Sequence, residues 1–418
     1  MDSETARRRG DEAERGIGGP ASEELGGVQG SPPFKQCHPS AQRRSIPRSL
    51  LLTLPVFLWA SLMFSRAFAA RTAAPKIAAL VALVFTVSLF FLMMRTRRTY
   101  KWRRVFFVTL GFLFPVGFIA SLVALRGSMS IPIDQMIAGD TPFCFLAIPM
   151  MIVPAALTRT LIFPGSILPT ASNPHAIAAM VALWLAATIV LGKGWCSFAC
   201  FFGGLEEGFA AIRRRPVIRD IHPSLRLVPW GVLGGIVLLS AATFDPTYCT
   251  WLCPFKAVTE FSEIRSAQTA LQFGIFSALF AGFVVVLPVL TRKRTQCTFL
   301  CPFGAFQSLF NKTSIFDIRV DRERCANCVT LCSGACPTLS LNGQSVAAGG
   351  TLMSCMKCGA CVDACNKGAA VWHVKGTPLS VRPETARLLY LYAAWGFATM
   401  FGGSIIANSV ETIVRFFA

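Results

Sequence analysis

Histidine is scarce. The 418 residues hold four, His38, His175, His222 and His373, whereas a transmembrane b-type haem needs two His ligands facing each other within one leaflet. No two of these offer that, so a cytochrome b reading fails on ligand supply and no haem is expected. Acids are also few: 21 Asp and Glu against 40 Lys and Arg, a formal net charge of +19. In a soluble chain that excess would suggest nucleic acid. Here the basic residues lie mostly in short segments between apolar runs, as membrane orientation requires, and no nucleic-acid partner is expected. No Ser/His/Asp or Cys/His constellation points to bond-making catalysis, so the chain is not expected to be an enzyme by itself. A secretory signal is lacking as well: residues 1–45 are rich in Gly, Pro, Ser and Arg and read as a disordered cytoplasmic leader, with the first apolar run beginning near Leu50.

What the chain has in abundance is apolar sequence, 53% of its residues, which makes an integral membrane protein the expected class. Apolar runs lie at about 50–70, 77–94, 105–125, 143–157, 176–192, 227–244, 271–290 and 388–407. A spanning helix needs roughly 17 to 25 residues, and the run at 143–157 is too short and carries Pro149 and Pro154. The basic loops 95–104 and 193–226 should both be cytoplasmic, so an odd number of crossings separates them and only one of 143–157 and 176–192 can span. Residues 176–192 are taken as the crossing and 143–171 as re-entrant or interfacial, since broken backbone at membrane depth needs cover from protein or a water-filled cavity. The expected divisions are a leader (1–45), amino-terminal membrane helices (46–128), a re-entrant or interfacial segment (129–172), membrane repeats (173–312), a cysteine-rich domain (313–384) and a last membrane helix (385–418). The amino terminus is expected inside and the carboxyl terminus outside.

Fourteen of the sixteen cysteines fall in tight pairs or quartets, leaving Cys37 and Cys144 as expected packing residues. Cys325, Cys328, Cys332 and Cys336 are followed by Cys355, Cys358, Cys361 and Cys365, the bacterial ferredoxin pattern in which the fourth Cys of each half ligates the cluster of the other. One [4Fe–4S] cluster would take Cys325, Cys328, Cys332 and Cys365, the other Cys355, Cys358, Cys361 and Cys336. The first half has three residues, not two, between its second and third Cys, and Asn366 stands where the first half has Pro337. A zinc ribbon competes for paired C-x-x-C. Eight cysteines in two interleaved quartets exceed what one zinc site needs.

Three further segments resemble one another: W-C-S-F-A-C-F-F-G at 195–203, Y-C-T-W-L-C-P-F-K at 248–256 and Q-C-T-F-L-C-P-F-G at 296–304. Each follows an apolar helix, so the chain repeats a unit that delivers two thiols at a helix end. A pair cannot hold a four-ligand cluster alone. Counting spans puts Cys196 and Cys200 on the same side as Cys297 and Cys301, where these four could share a third cluster. Cys249 and Cys253 fall on the opposite side without an obvious partner. They could complete a cluster with another subunit, act as a disulfide or thiol site, or reveal an error in the span count; packing cysteines at helix ends are the bland reading of all three pairs. Glu206 and Glu207 after the first pair, and Asp134 and Asp140 before the broken segment, are candidates for a quinone or proton role, or are headgroup-level charges. Residues 163–169 could shape a quinone pocket or simply turn the chain.

At these residues the chain resembles the NapH/NosR group of membrane-bound ferredoxin-type proteins, which includes the methylamine-utilisation ferredoxin-type proteins and the cytochrome oxidase accessory protein CcoG. The features that carry the resemblance are C-x-x-x-C at 196–200, C-x-x-x-C-P at 297–302, F-D-P at 244–246 and the two quartets. It implies a multi-pass inner-membrane iron–sulfur protein that moves electrons between a quinone pool or cytoplasmic donor and a respiratory or periplasmic redox partner. The chain departs from the pattern at Phe201, where Pro is expected, and in its extra pair, Cys249 and Cys253. No segment is long enough for the periplasmic flavin domain of NosR-like regulators, so no flavin is expected. The expected fold is thus an α-helical polytopic membrane protein of about seven transmembrane helices plus a re-entrant segment, with an inserted cytoplasmic α+β domain resembling a bacterial 2[4Fe–4S] ferredoxin. The rival function is a membrane reductase serving the maturation of a periplasmic metalloenzyme, with Cys249 and Cys253 as its working thiols.

Overall fold

The computed structural model describes residues 43–124, 177–219, 221–243, 247–259, 264, 266–325, 333–365, 367–378 and 383–417. Expectations for the leader, Cys37, Cys144, Asp134, Asp140, the segment 129–172, the F-D-P at 244–246 and the ligands Cys328 and Cys332 lie outside the described residues.

The apolar runs form long helices. The first three are α1 (Ile46–Phe68), α2 (Ala73–Thr96) and α3 (Thr99–Ala124). Pro47 falls in the first turn of α1, where its missing N–H leaves no bond unmade. Helix α2 stops at Arg97, which takes a left-handed backbone (φ 59°). After α4 (Ile177–Leu191) the chain makes short turns through Trp195–Phe198 into α5 (Phe201–Phe209), and α6 (Val228–Thr243) follows. Helix α7 (Ala267–Leu279) starts at a reciprocal cap between Ser266 and Thr269 and continues through a π-helical turn to Thr291. Helix α8 (Pro302–Leu309) precedes the small domain, and α9 (Pro383–Ala398) runs through a second π-helical turn into α10 (Ser404–Phe417).

Six helical stretches among the described residues are long and apolar enough to cross a membrane: Ile46–Phe68, Ala73–Thr96, Val181–Phe198, Ser224–Thr243, Ala267–Thr291 and Pro383–Phe417. Helix α3 covers the apolar run expected at 105–125. The outward faces are apolar where water would disfavour it, with Leu51 69% and Leu58 59% exposed on α1 and Leu238 69% exposed on α6. Such faces suit a lipid surface.

The domain after α8 is small and mixed. Strand β1 (Phe316–Val320) pairs antiparallel with β2 (Ala370–Val374), Ile318 opposite Trp372, and the alternating burial of β1 turns Phe316, Ile318 and Val320 inward. Aromatic contact ties this domain to the helices: Trp372 stacks on Tyr390 of α9 with centroids 4.4 Å apart. Polar contact does the same. Asp363 accepts from the backbone amides of Thr99 (3.2 Å) and Tyr100 (2.8 Å), so a side chain of the domain caps α3.

Helices α3 and α5 meet backbone to backbone. A Cβ on Gly111 would stand 2.4 Å from the Leu205 amide nitrogen, and one on Gly204 would stand 2.2 Å from the Phe107 carbonyl oxygen. This approach carries the first C-x-x-x-C unit into the middle of the protein.

Candidate metal centre

The two outer repeat units share one local geometry. Cys200 (φ −76°, ψ 100°) precedes α5, and Cys301 (φ −72°, ψ 110°) precedes α8, each with an extended backbone that ends one helical turn and opens the next. The Gly304 amide donates to the Cys301 sulfur at 3.3 Å, and the Gly203 amide donates to Cys200. The space for a side chain there is tight. A Cβ on Gly203 would lie 3.2 Å from the Cys196 carbonyl oxygen, and one on Gly304 would lie 3.2 Å from that of Cys297. Phe201 in place of Pro leaves the turn intact, since Cys200 keeps almost the same backbone angles as Cys301.

The structure brings the two pairs near one another: Cys196 and Cys200 are buried in one apolar cluster against which Cys301 packs, and Arg294, three residues before Cys297, donates to the Cys196 carbonyl oxygen. All four are at least partly withdrawn from solvent.

In the small domain, Cys336, Cys355, Cys358 and Cys361 line a single cavity together with Ile318 and Thr351. Backbone amides point at these sulfurs, Ser340 to Cys336 at 3.2 Å and Lys357 to Cys355 at 3.4 Å. Cys365, assigned to the other quartet with Cys325, accepts from Ala369 at 3.2 Å. A ring of buried sulfurs that accept backbone N–H bonds fits an iron–sulfur cluster, whose sulfurs take such bonds and whose potential they tune. The thiol chemistry fits as well. Burial pushes Cys301 up to about 12 and Cys358 up to about 11, so a bound metal must displace the proton for either to ligate.

The two sites touch. Met356, between Cys355 and Cys358, is buried in the same apolar cluster as Cys196 and Cys200. Ser197 donates to the Met356 carbonyl oxygen at 2.8 Å, and Arg294 donates to the Cys196 carbonyl oxygen at 3.0 Å and to the Met356 sulfur at 3.3 Å. Sequence reasoning missed Arg103, Lys193 and Arg294 as interior residues, because it read their segments as cytoplasmic loops. They are 0%, 5% and 0% exposed. The one available signal was position: Lys193 and Arg294 each stand three residues before the first cysteine of a pair.

Glu206 and Glu207, candidates for a quinone or proton role, have internal partners. Glu206 accepts from the Gln296 amide at 2.6 Å and the Cys297 amide at 3.2 Å, and burial lifts its carboxyl to about 7. Glu207 pairs with Arg103 and Arg294.

The second pair is not isolated as the span count expects. Tyr248, beside Cys249, is fully buried and its hydroxyl accepts from the Gln296 side chain at 3.0 Å, one residue from Cys297. Phe255 stacks on Phe202 with centroids 3.9 Å apart, and Cys253 belongs to the same buried cluster as Cys196 and Cys200. Counting spans treats each helix end as a flat surface. Here residues 247–259 fold back, and a buried tyrosine fills the depth between the pairs.

The two described histidines have hydrogen-bond partners. His222 caps Ser224 with its own ring nitrogen, and His373 bridges Asp317 and the Thr377 carbonyl oxygen.

The family model described as Fer4_5, 4Fe-4S binding domain, matches residues 173–219, 227–267 and 273–322. Each matched segment contains one C-x-x-x-C pair. The match supports an iron–sulfur family of ferredoxin type for this chain, and with it 4Fe–4S binding. No curated protein and no solved structure matches the chain.

Proposed function

We propose that this chain is a membrane-bound electron relay between a cluster in its small domain and a second cluster at its helix ends. It would join a quinone pool or cytoplasmic donor to a respiratory or periplasmic redox partner. When bound, [4Fe–4S] clusters supply one-electron redox chemistry; the chain supplies spacing, burial and hydrogen bonds. The observation that carries the reading is the contact of the two cysteine groups through Met356, Ser197 and Arg294. Asn311 reinforces it, accepting from the Lys193 amide and donating to the Cys355 carbonyl oxygen. Phe202, Phe255 and Trp195 pack around the helix-end thiols and exclude water, which keeps the path in a low-dielectric medium. The resemblance to the NapH/NosR group supports the inner membrane as location.

The second reading, a reductase for maturation of a periplasmic metalloenzyme, draws on the nearness of Cys249 and Cys253 to the helix-end group through Tyr248. Replacing both by Ser separates the readings. Under the relay, which does not pass through this pair, flux and the partner's maturation both survive; under the maturation role, flux survives while the partner enzyme fails to mature.

Iron and acid-labile sulfide counting on anaerobically purified protein, with EPR, tests the relay. About twelve Fe per chain supports three cubanes. About eight would leave the helix-end thiols without a cluster and end the relay through them.

A further inference from the structure

Two buried cations lie between the two cysteine groups and face both. Lys193 is 5% exposed. It lines one cavity with Cys297 of the helix-end group and with Thr338 and Ser354 of the small domain. Its Nζ donates to Ser308 at 2.8 Å and its backbone amide to Asn311 at 3.0 Å, so the side chain is held from two directions. Arg294 is fully buried and donates both to the Cys196 carbonyl oxygen in the first helix-end pair and to the sulfur of Met356, which lies between Cys355 and Cys358. Glu207 pairs with both Arg294 and Arg103, so those three side chains keep one net positive charge.

Neither cation is explained by stability alone. A buried ion pair stabilises little against an apolar replacement of the same shape, and Lys193 has no carboxylate partner among the described ion pairs. Each does lie where negative charge would collect. A [4Fe–4S] cluster with four thiolate ligands is anionic when oxidised and gains a further negative charge on reduction, and net charge near a cluster sets its potential.

We propose that Lys193 and Arg294 are counter-ions shared by the two iron–sulfur sites, holding both reduced forms accessible at once. The proposal rests on the relay reading above. Its logic is electrostatic. When one electron passes from one site to the other, the donor site is oxidised and the acceptor reduced, and their summed charge is unchanged. A cation that faces both sites therefore does little to the driving force between them. It does lower the free energy of adding each electron to the pair and offsets the repulsion between two reduced neighbours. A cation beside one site alone would instead change the gap.

The test is an EPR-monitored redox titration of the anaerobically purified full chain in detergent, comparing the wild type with Lys193→Gln, Lys193→Arg, Glu207→Gln and Arg415→Gln. Lys193→Gln keeps a donor for Ser308 and removes the charge. Both midpoint potentials are expected to fall by similar amounts, with each centre's reduced-to-oxidised ratio at fixed ambient potential dropping about tenfold, the effect of roughly one charge at ~10 Å and an effective dielectric of ~20. Lys193→Arg keeps both potentials near wild type. Glu207→Gln removes the negative partner of Arg294, so the shifts reverse sign, which keeps the proposal open to test if Lys193→Gln loses iron. Exposed Arg415 pairs with Glu411 in its own helix, and its substitution moves neither centre. Full iron content with only one centre shifted, or with none shifted, overturns the shared role. A wild-type chain with about eight Fe and ferredoxin-type signals alone overturns the relay reading itself, and is seen before any substitution is made.

Discussion

The side-chain amide of Asn311 donates to the carbonyl oxygen of Cys355 at 2.7 Å, while its own oxygen accepts from the Lys193 amide at 3.0 Å. One buried amide thus holds a loop of the small domain against the turn that opens the first C-x-x-x-C unit. Replacing Asn311 by Leu strands those backbone groups, at about 1–3 kcal/mol for each buried polar group left unpaired. The expected outcome is a protein that keeps its iron but loses thermal stability and transfers electrons between its clusters more slowly. Stopped-flow reduction followed at the cluster absorbance would read the rate, and an unchanged rate would show that Asn311 does not position the two sites.

The helix-end quartet makes a separable prediction. Cys297→Ser removes one of four thiols that the structure gathers, so about four of roughly twelve Fe should be lost while the ferredoxin-type EPR signals persist. Cys361→Ser, in the small domain, should spare the helix-end signal. Loss of all iron in both variants would mean that the sites do not assemble independently.

Packing of α3 on α5 gives a steric prediction. Gly204→Ala places a methyl on the Phe107 carbonyl oxygen and forces two backbones apart, and overpacking of this kind costs typically 1–3 kcal/mol and sometimes more. Gly231→Ala meets nothing within 4 Å in α6, and should stabilise its helix by up to ~1 kcal/mol. Thermal unfolding in detergent ranks the two, and equal melting temperatures would argue against close α3–α5 contact.

Charge burial makes the last. Glu207→Gln leaves Arg103 and Arg294 without their shared carboxylate, and breaking a buried pair costs about 3–5 kcal/mol. Glu411→Gln breaks an exposed pair with Arg415 in α10, worth about 0.3–0.5 kcal/mol. A comparable loss from both would mean that the Glu207 site is wetter than the structure has it.

The sequence by itself determined the long helices, because a run of apolar side chains about twenty residues long has few other ways to satisfy its backbone in lipid. It also set out the candidate ligand groups, because thiol spacing along the chain is a property of the chain alone. The quartet of Cys336, Cys355, Cys358 and Cys361 was legible in that spacing, and its members do line one cavity. What only the tertiary structure decided is which charges are inside. Lys193, Arg294 and Arg103 look, in one dimension, like the basic loop residues that fix membrane orientation. Their burial follows from contacts made across long separations, such as Arg294 with Cys196 and Arg103 with Ser197. The same holds for Tyr248, whose reach to Gln296 connects a pair that counting helices leaves on its own. Periodicity records what each residue prefers locally; depth and neighbours are set when the helices pack.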